Sequence, residues 1–464
     1  PNAVLGNEAV RPEGASDHPQ TTFQKMSGNI HSLWNEAIGD LRKRLKTIIY
    51  DRRLPAIEAT VFKKERIKVV FFVINLGMWK NDKLFRMFLD SGRFDPYIVT
   101  FPQRSDDPDT LRRTQEELRR HFEAKGFPFI EGYDFTKNEY FDLVGFAPDI
   151  LFYVQPYGVG GEEFSVDKFM RHSLFAYIPY GIPLNDIPKL YNQLYKNICW
   201  RLFYPTEYSR SREKARLYTR RDNIAVCGFP FADYLAEASS PHDWKDPDTR
   251  FKRVIWAPHH SVLKSDVLDY STFLEIADGM LELAQRYSSK IQFAFKPHPL
   301  LKEKLCRPEV WGRRRTEEYY ARWAAMPNTS FTDGEYYDLF MTSDALIHDC
   351  CSFMTEYLYT GKPLMFITHN KEKIAGSVNN FGKECLKRHY FGSGIKDIET
   401  FIDSVVIGGN DTMLGDRKSF YEKALRTPGT GSVAGNIFKE FSDALKQDSR
   451  ERPVTSASSA TDSA

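Results

Sequence analysis

At 464 residues, 42% hydrophobic and 27% charged, the chain has an ordinary globular balance and room for two or three domains with sizeable cores. A formal net charge of +2 gives no global attraction to nucleic acid, which is not expected as a partner, and binding to an anionic surface would need a local basic patch. No run approaches the roughly 20 apolar residues of a membrane span, and no apolar leader opens the sequence.

Residues 1–27 are polar, with Gly, Pro and Ser, and are expected to be disordered. Residues 28–66 read as an amphipathic helical extension. In it Ile30, Leu33, Trp34, Ile38, Leu41, Leu45, Ile48 and Ile49 recur at helical spacing, with Arg42, Lys43, Arg44 and Lys46 off the stripe. Such a helix packs on its own domain, pairs with a second copy to make a homo-oligomer, or lies on an anionic membrane surface through residues 28–49; all three readings stay open. A strand follows at Ile67–Ile74. The turn after it, Asn75–Lys80, lacks the GxGxxG of a dinucleotide site. A helix to about Leu89, a strand at Asp95–Phe101, a charged helix over 108–125, a short strand at 128–130 and a strand at Asp149–Val154 complete the first pattern. Alternating strands and helices predict a parallel sheet covered on both faces, here over 67–235.

A linker rich in Ser, Pro and Asp spans 236–252, and the pattern then restarts over 253–446, before a flexible tail at 447–464. Arg253–Ala257 is a strand ending at Pro258-His259-His260-Ser261. Residues 271–287 are an amphipathic helix. Ile291–Phe295 is a strand ending in Lys296-Pro297-His298-Pro299. Ala345–Ile347 leads into the polar turn Asp349–Ser352, a short helix over Phe353–Tyr359 stopped by Gly361 and Pro363, and a further strand to Ile367. A strand, a polar turn and a helix N-terminus suit a phosphate. Asp349 and Ser352 would line that site, with Glu356 one turn on. Lys296 and His298, at another strand end, suit an anion or a leaving phosphate. His259 and His260 end a strand at the same edge; as neighbours they are expected to point apart, so no metal site is assigned. Six scattered cysteines, Cys199, Cys227, Cys306, Cys350, Cys351 and Cys385, form no metal spacing and predict free thiols in a reducing cytosol.

The Lys-Pro-His-Pro strand end, followed about fifty residues on by the Asp-x-x-Ser turn, resembles the CDP-glycerol glycerophosphotransferase family, teichoic-acid and capsule polymerases and primases of GT-B architecture. Ser343, Asp344, Ile347, Asp349, Ser352, Lys362 and Pro363 match the family pattern; Cys350 and Cys351 replace its Tyr and first Ser, and Glu356 stands where the family has Asp. Gly228-Phe229-Pro230-Phe231-Ala232-Asp233 resembles Gly-Tyr-Pro-Arg-Asn-Asp without the Arg. Tyr180-Gly181-Ile182-Pro183-Leu184 resembles His-Gly-Thr-Pro-Leu with Tyr for His.

The resemblance implies two Rossmann-like domains facing across a cleft, with segments near 416–446 packing back on the first. It implies a CDP-linked polyol phosphate as donor, a polysaccharide or lipid-linked acceptor, and neither cofactor nor metal. Lys296, Asp349, Ser352, Glu356, His259 and His260 would hold the donor, and His298 would stabilise the leaving phosphate. Tyr180, at the position of the family's candidate base, is a poor base with a reference pKa near about 10; Gly181, Asp186 and His172 are expected beside the acceptor, with Asp186 or His172 as substitute base. The protein would be cytoplasmic, peripheral on the inner face of the membrane. A GT-B glycosyltransferase using a nucleotide sugar, and a non-catalytic scaffold of a surface-polysaccharide complex, are the alternatives.

Overall fold

The computed structural model describes residues 20–450, apart from 101–107, 157–162, 186–191, 239, 242–243, 247–249, 264–265, 267–269 and 430. The expectations for residues 1–19 and 451–464 lie outside the described residues. Two parallel sheets organise the chain. The first has seven strands in the order β3-β2-β1-β6-β7-β8-β9: β1 Ile67–Val73, β2 Phe94–Thr100, β3 Phe129–Glu131, β6 Ile150–Tyr153, β7 Leu174–Tyr177, β8 Arg201–Tyr204 and β9 Ile224–Val226, with a small hairpin of β4 Tyr133–Asp134 and β5 Glu139–Tyr140 beside it. The second has six strands in the order β12-β11-β10-β13-β14-β15: β10 Lys252–Ala257, β11 Ile291–Phe295, β12 Thr329–Phe331, β13 Ala345–His348, β14 Leu364–Ile367 and β15 Tyr390–Gly392.

Strands β6, β7, β11, β13 and β14 are buried along their whole length, as parallel strands covered on both faces must be. That is why they read as continuous apolar runs. In each sheet the strand order reverses once, between β1 and β6 and between β10 and β13. Crevices at such reversals, outside the strands' C-terminal ends, are where α/β sheets bind ligands.

Helix α1 spans Gln20–Phe62, so it includes residues 20–27, which sequence composition assigns to a disordered segment. Its packed face is Thr47, Tyr50, Leu54, Ile57 and Val61, with the Tyr50 hydroxyl donating to the Ser173 carbonyl at 3.1 Å. None of these belongs to the stripe that the sequence analysis singled out. At about 100° per residue, Trp34, Ile38, Leu41, Leu45, Ile48 and Ile49 fall on the opposite face and are exposed by 45–65%. Packing of that stripe on its own domain is therefore corrected: this helix is apolar on two sides.

Described residues of the linker are packed on the second half. Trp244 is buried and its indole N–H donates to Thr342 Oγ1 at 2.8 Å, while Asp246 N donates to Gln292 Oε1 at 2.9 Å. The C-terminal helix, Val433–Arg450, returns to the first sheet. The Phe441 ring lies 5.0 Å from Trp200, 5.2 Å from Phe88 and 5.5 Å from Phe152. The chain up to 446 thus ends in the first core rather than the second. The Gly228–Asp233 motif fastens this return: the Asp233 carboxylate accepts from Val433 N and Ala434 N, both at 2.8 Å, satisfying free N–H groups of the helix's first turn. Gly228 has φ +93°, and a Cβ there would meet Val433 Cγ2 at 2.9 Å.

Asp233→Ala should therefore cost about 1–2 kcal/mol, the usual effect of losing a cap. Gly228→Ala should cost more than about 1 kcal/mol, because the backbone conformation is wrong for alanine and the space is filled. Urea denaturation checks both. Unchanged midpoints would show that the helix is held elsewhere.

Candidate functional site

The C-terminal edge of the second sheet gathers three imidazoles. His259 and His260 leave β10, and His298 leaves β11. Ring centroids are 4.3 Å apart for His259–His260, 4.2 Å for His260–His298 and 5.5 Å for His259–His298. The expectation that the adjacent pair points apart is corrected: their planes are inclined by only 32°, and β11 brings the third ring against them.

Each ring has its Nδ1 occupied by a protein donor. Ser261 N donates to His259 Nδ1 at 3.2 Å. The Ser261 hydroxyl, whose oxygen accepts from Tyr270 N and Ser271 N, faces the same nitrogen at 2.9 Å. Lys304 Nζ lies 2.9 Å from His260 Nδ1 and can only donate; the same ammonium is paired with Asp266. Leu300 N donates to His298 Nδ1 at 3.2 Å, so that ring caps the short helix Pro299–Leu305. A neutral imidazole that accepts at Nδ1 carries its proton on Nε2. Burial first, then the neighbouring rings and Lys304, hold His259 and His298 down to about 3; burial and Lys304 also lower His260. The site presents three neutral Nε2–H donors rather than an imidazolium.

Lys296 is buried, with Nζ 5.8 Å from the centre of the Tyr336 ring. The Tyr336 hydroxyl donates to Glu356 Oε2 at 2.6 Å. Glu356 is itself buried, and burial raises its carboxyl against the pull of Lys80 and Tyr336. Ser352 is exposed, with Oγ 3.2 Å from Cys350 Sγ.

Asp349 does not line a phosphate site, a correction to its assignment. Its buried carboxylate accepts from His259 N at 2.5 Å, Thr272 N at 2.7 Å and Thr272 Oγ1 at 3.1 Å. Burial pushes it up to about 6, opposed by those donors. It ties the ends of β10 and β13 to the helix Phe273–Arg286.

The Tyr180–Leu184 loop leaves β7 and docks on the second half. Leu184 O accepts from Asn379 N at 2.7 Å, and Pro183 O accepts from Asn379 Nδ2 at 2.9 Å. Asn185 Nδ2 donates to Tyr270 Oη at 3.2 Å and Ser377 O at 3.1 Å. A Cβ at Gly181 would meet nothing within 4 Å, so bulk does not demand glycine there. His172 is a correction. It is exposed and precedes β7, at the end opposite Tyr180; at about 3.3 Å per residue the two stand roughly 20 Å apart. It cannot serve the same hydroxyl. Asp186 lies outside the described residues. All six cysteines are free. The sequence analysis did not single out Lys304, Tyr336 or Asn185, because their roles depend on segments far away in the chain.

Residues 197–427 match the family model for CDP-Glycerol:Poly(glycerophosphate) glycerophosphotransferase. No curated protein matches the chain. The wall teichoic acid polymerase TagF is similar in structure, with a TM-score of 0.57 at 13% identity over 93% of this chain and 99% of that one. A TagF variant soaked with CDPG gives 0.54 at 13% identity, covering 94% and 100%. UDP-GlcNAc 2-epimerase from Neisseria meningitidis, bound to UDP-GlcNAc, gives 0.51 at 14% identity, covering 82% and 100%. These structures share the fold, two Rossmann-like domains in the GT-B arrangement. The matched region, residues 197–427, holds both the Lys296–His298 strand end and the turn at Asp349–Glu356, and it carries the similarity to the CDP-glycerol:poly(glycerophosphate) glycerophosphotransferases, a family of transferase enzymes.

Proposed function

We propose that the protein transfers a glycerol phosphate, or a related polyol phosphate, from a CDP-linked donor to a hydroxyl of a cell-surface polysaccharide or lipid-linked acceptor, without a metal. The observation that carries this is the trio of imidazoles with Nδ1 occupied. A metal-ligating histidine usually donates from its other nitrogen; these accept there, so their Nε2–H groups suit an anion. In the reaction the acceptor oxygen bonds to the phosphorus of the polyol phosphate. The bond from that phosphorus to the CMP oxygen breaks, CMP leaves with the electron pair, and the hydroxyl proton is lost to water. Lys296 and the Nε2–H of His298 neutralise charge growing on the leaving phosphate. Ser352 and Glu356 hold the nucleotide, Glu356 through ribose hydroxyls. Tyr180 binds the acceptor.

A thermal-shift screen with CDP, CMP, UDP, GDP and ADP should give its largest rise with a cytidine nucleotide. Ser352→Ala and Glu356→Gln should each weaken that ligand by about 1–3 kcal/mol, the cost of stripping a hydrogen-bond partner. His298→Ala should cut CMP release from CDP-glycerol about 10²–10⁴-fold, with nucleotide affinity nearly unchanged. EDTA should not slow the wild type. Full turnover in the His298 variant would sink the mechanism.

The histidines also set the acid limb of stability. His259, His298 and His389 are held to about 3 by burial, and His348 well below its usual value. Their folded values lie below the unfolded value of about 6.5, so their contribution is present above that pH and is lost as pH falls towards 3. Asp349 has the opposite sign: raised to about 6, it loses its contribution as pH rises from about 4 to 6. Burial lowers His260 as well and raises Glu356; with the histidines outnumbering these two carboxyls, the Tm should be steady from about pH 7 to 8 and fall below about pH 6.5. The fall should be shallower in His298→Asn.

We further propose that the outward face of α1 rests on an anionic membrane, on the cytoplasmic side. Six large apolar side chains share that face, exposed Arg42 and Arg44 border it, and Arg52 lies within it, the pattern of an interfacial helix. The wild type should sediment with vesicles containing phosphatidylglycerol and much less with phosphatidylcholine alone. Leu41→Glu with Leu45→Glu should abolish binding. A concentration-dependent dimer in light scattering, without vesicle binding, would assign the face to a second copy instead.

A further inference from the structure

The reversal crevice of the first sheet lies between residues 74–81, after β1, and residues 154–156, after β6. Nothing described above uses it, and it lies outside the family-matched residues 197–427. Three polar side chains there are buried without the partners such groups need. Lys80 is 5% exposed, and among the described residues its Nζ donates only to Gly77 O, at 3.1 Å. Asn81 is 4% exposed and has no partner for Oδ1 among the described residues. It stands at the N-cap of α2, Asp82–Asp90, yet its side chain makes no cap hydrogen bond. Gln155 is fully buried, and neither amide atom is paired among the described residues. Buried polar atoms in proteins nearly always have a partner, and leaving one unmade costs about 1–3 kcal/mol. Three at one strand-end crevice need an explanation.

Position supplies one. The β1 loop reaches the second half of the molecule through Tyr234, at the end of the first: Asp82 N donates to the Tyr234 hydroxyl at 3.1 Å, and the Tyr234 ring stacks on Tyr337 of the second half at 4.4 Å. The next residue along, Tyr336, holds Glu356 and lies under Lys296. The loop therefore meets the donor edge of the second domain from the opposite side. Burial lowers the Lys80 ammonium, and Glu356 favours its charge.

We propose that Lys80, Asn81 and Gln155 are the first domain's subsite for the transferred polyol phosphate. Lys80 neutralises its phosphate from the side facing Lys296. Asn81 Oδ1 and the Gln155 amide take its hydroxyls. A cation for the phosphate beside unpaired acceptors and donors for hydroxyls is the complement of a small phosphorylated polyol. The assignment rests on the transferase reading above. A merely structural Lys80 would be a strut whose only task is to pair with Glu356.

The test separates these readings with two probes, glycerol 3-phosphate and CMP, by calorimetry on the full chain. The wild type should bind both. Lys80→Met should weaken glycerol 3-phosphate at least tenfold and leave CMP within twofold. It should lower kcat on CDP-glycerol about 100-fold or more, with partial rescue by Lys80→Arg. Asn81→Ala should weaken glycerol 3-phosphate three- to tenfold, and it carries the same test should Lys80→Met fail to fold. In the strut reading, Lys80→Met with Glu356→Gln would restore glycerol 3-phosphate affinity and Tm together. In the proposed reading Tm recovers and the affinity does not. No glycerol 3-phosphate binding by a wild type that binds CMP overturns the subsite alone. Glycerol 3-phosphate binding without any nucleotide binding keeps the subsite and overturns the donor assignment.

Discussion

The Asp349 carboxylate accepts from the backbone of His259 and from both the backbone and the hydroxyl of Thr272. Three elements that are distant in sequence are fixed by those bonds, and the imidazole trio depends on them. With the His259 backbone held, its ring can receive Ser261 and lie against His260 and His298. A buried carboxylate is costly unless it is fully paired. Here the pairing is complete, and what is bought is position. Loss of Asp349 would leave buried N–H groups unpaired as well as freeing the β10 end.

The same logic extends to the relation of the halves. A shared apolar cluster joins Ile182, Leu184 and Phe231 of the first half to Phe340, Met354 and Phe381 of the second. Asn185 and Asn379 add hydrogen bonds across the same seam. The C-terminal helix closes the circuit by returning to the first core. Because the Tyr180 loop is part of this seam, the proposed acceptor side and the proposed donor side are held by one set of contacts. The geometry between them is built into the fold rather than left to a flexible linker.

Electrostatically, the edge avoids placing fixed imidazolium charges in a buried site. In the proposed reaction, neutral donors and the ammonium of Lys296 would face the leaving phosphate from the second domain. The Lys304 ammonium is already balanced by Asp266 and orients His260 instead. An arrangement of preorganised dipoles needs little rearrangement as charge develops on phosphate. It also makes acid, rather than neutral pH, the condition that disrupts the site.

Much of this protein was legible in its residues. The apolar runs at 67–73, 150–153, 253–257, 291–295, 345–347 and 364–367 declare parallel strands, because a strand covered on both faces has no polar side. The Lys296–His298 and Asp349–Ser352 segments declare themselves by sitting at the ends of such runs. What each side chain does there was decided only in three dimensions. Asp349 and Ser352 occupy one turn, yet one is spent inside the protein and the other is exposed. His172 and Tyr180 are eight positions apart, yet a strand carries them to opposite edges. His259, His260 and His298 converge because β10 and β11 are paired in register. The helix at 20–62 shows the limit most plainly: its spacing showed one apolar stripe, and the face that is buried is another, Tyr50, Leu54, Ile57 and Val61, because that is the one the rest of the domain packs against. Periodicity reports local geometry, whereas burial and charge depend on what the rest of the chain brings near.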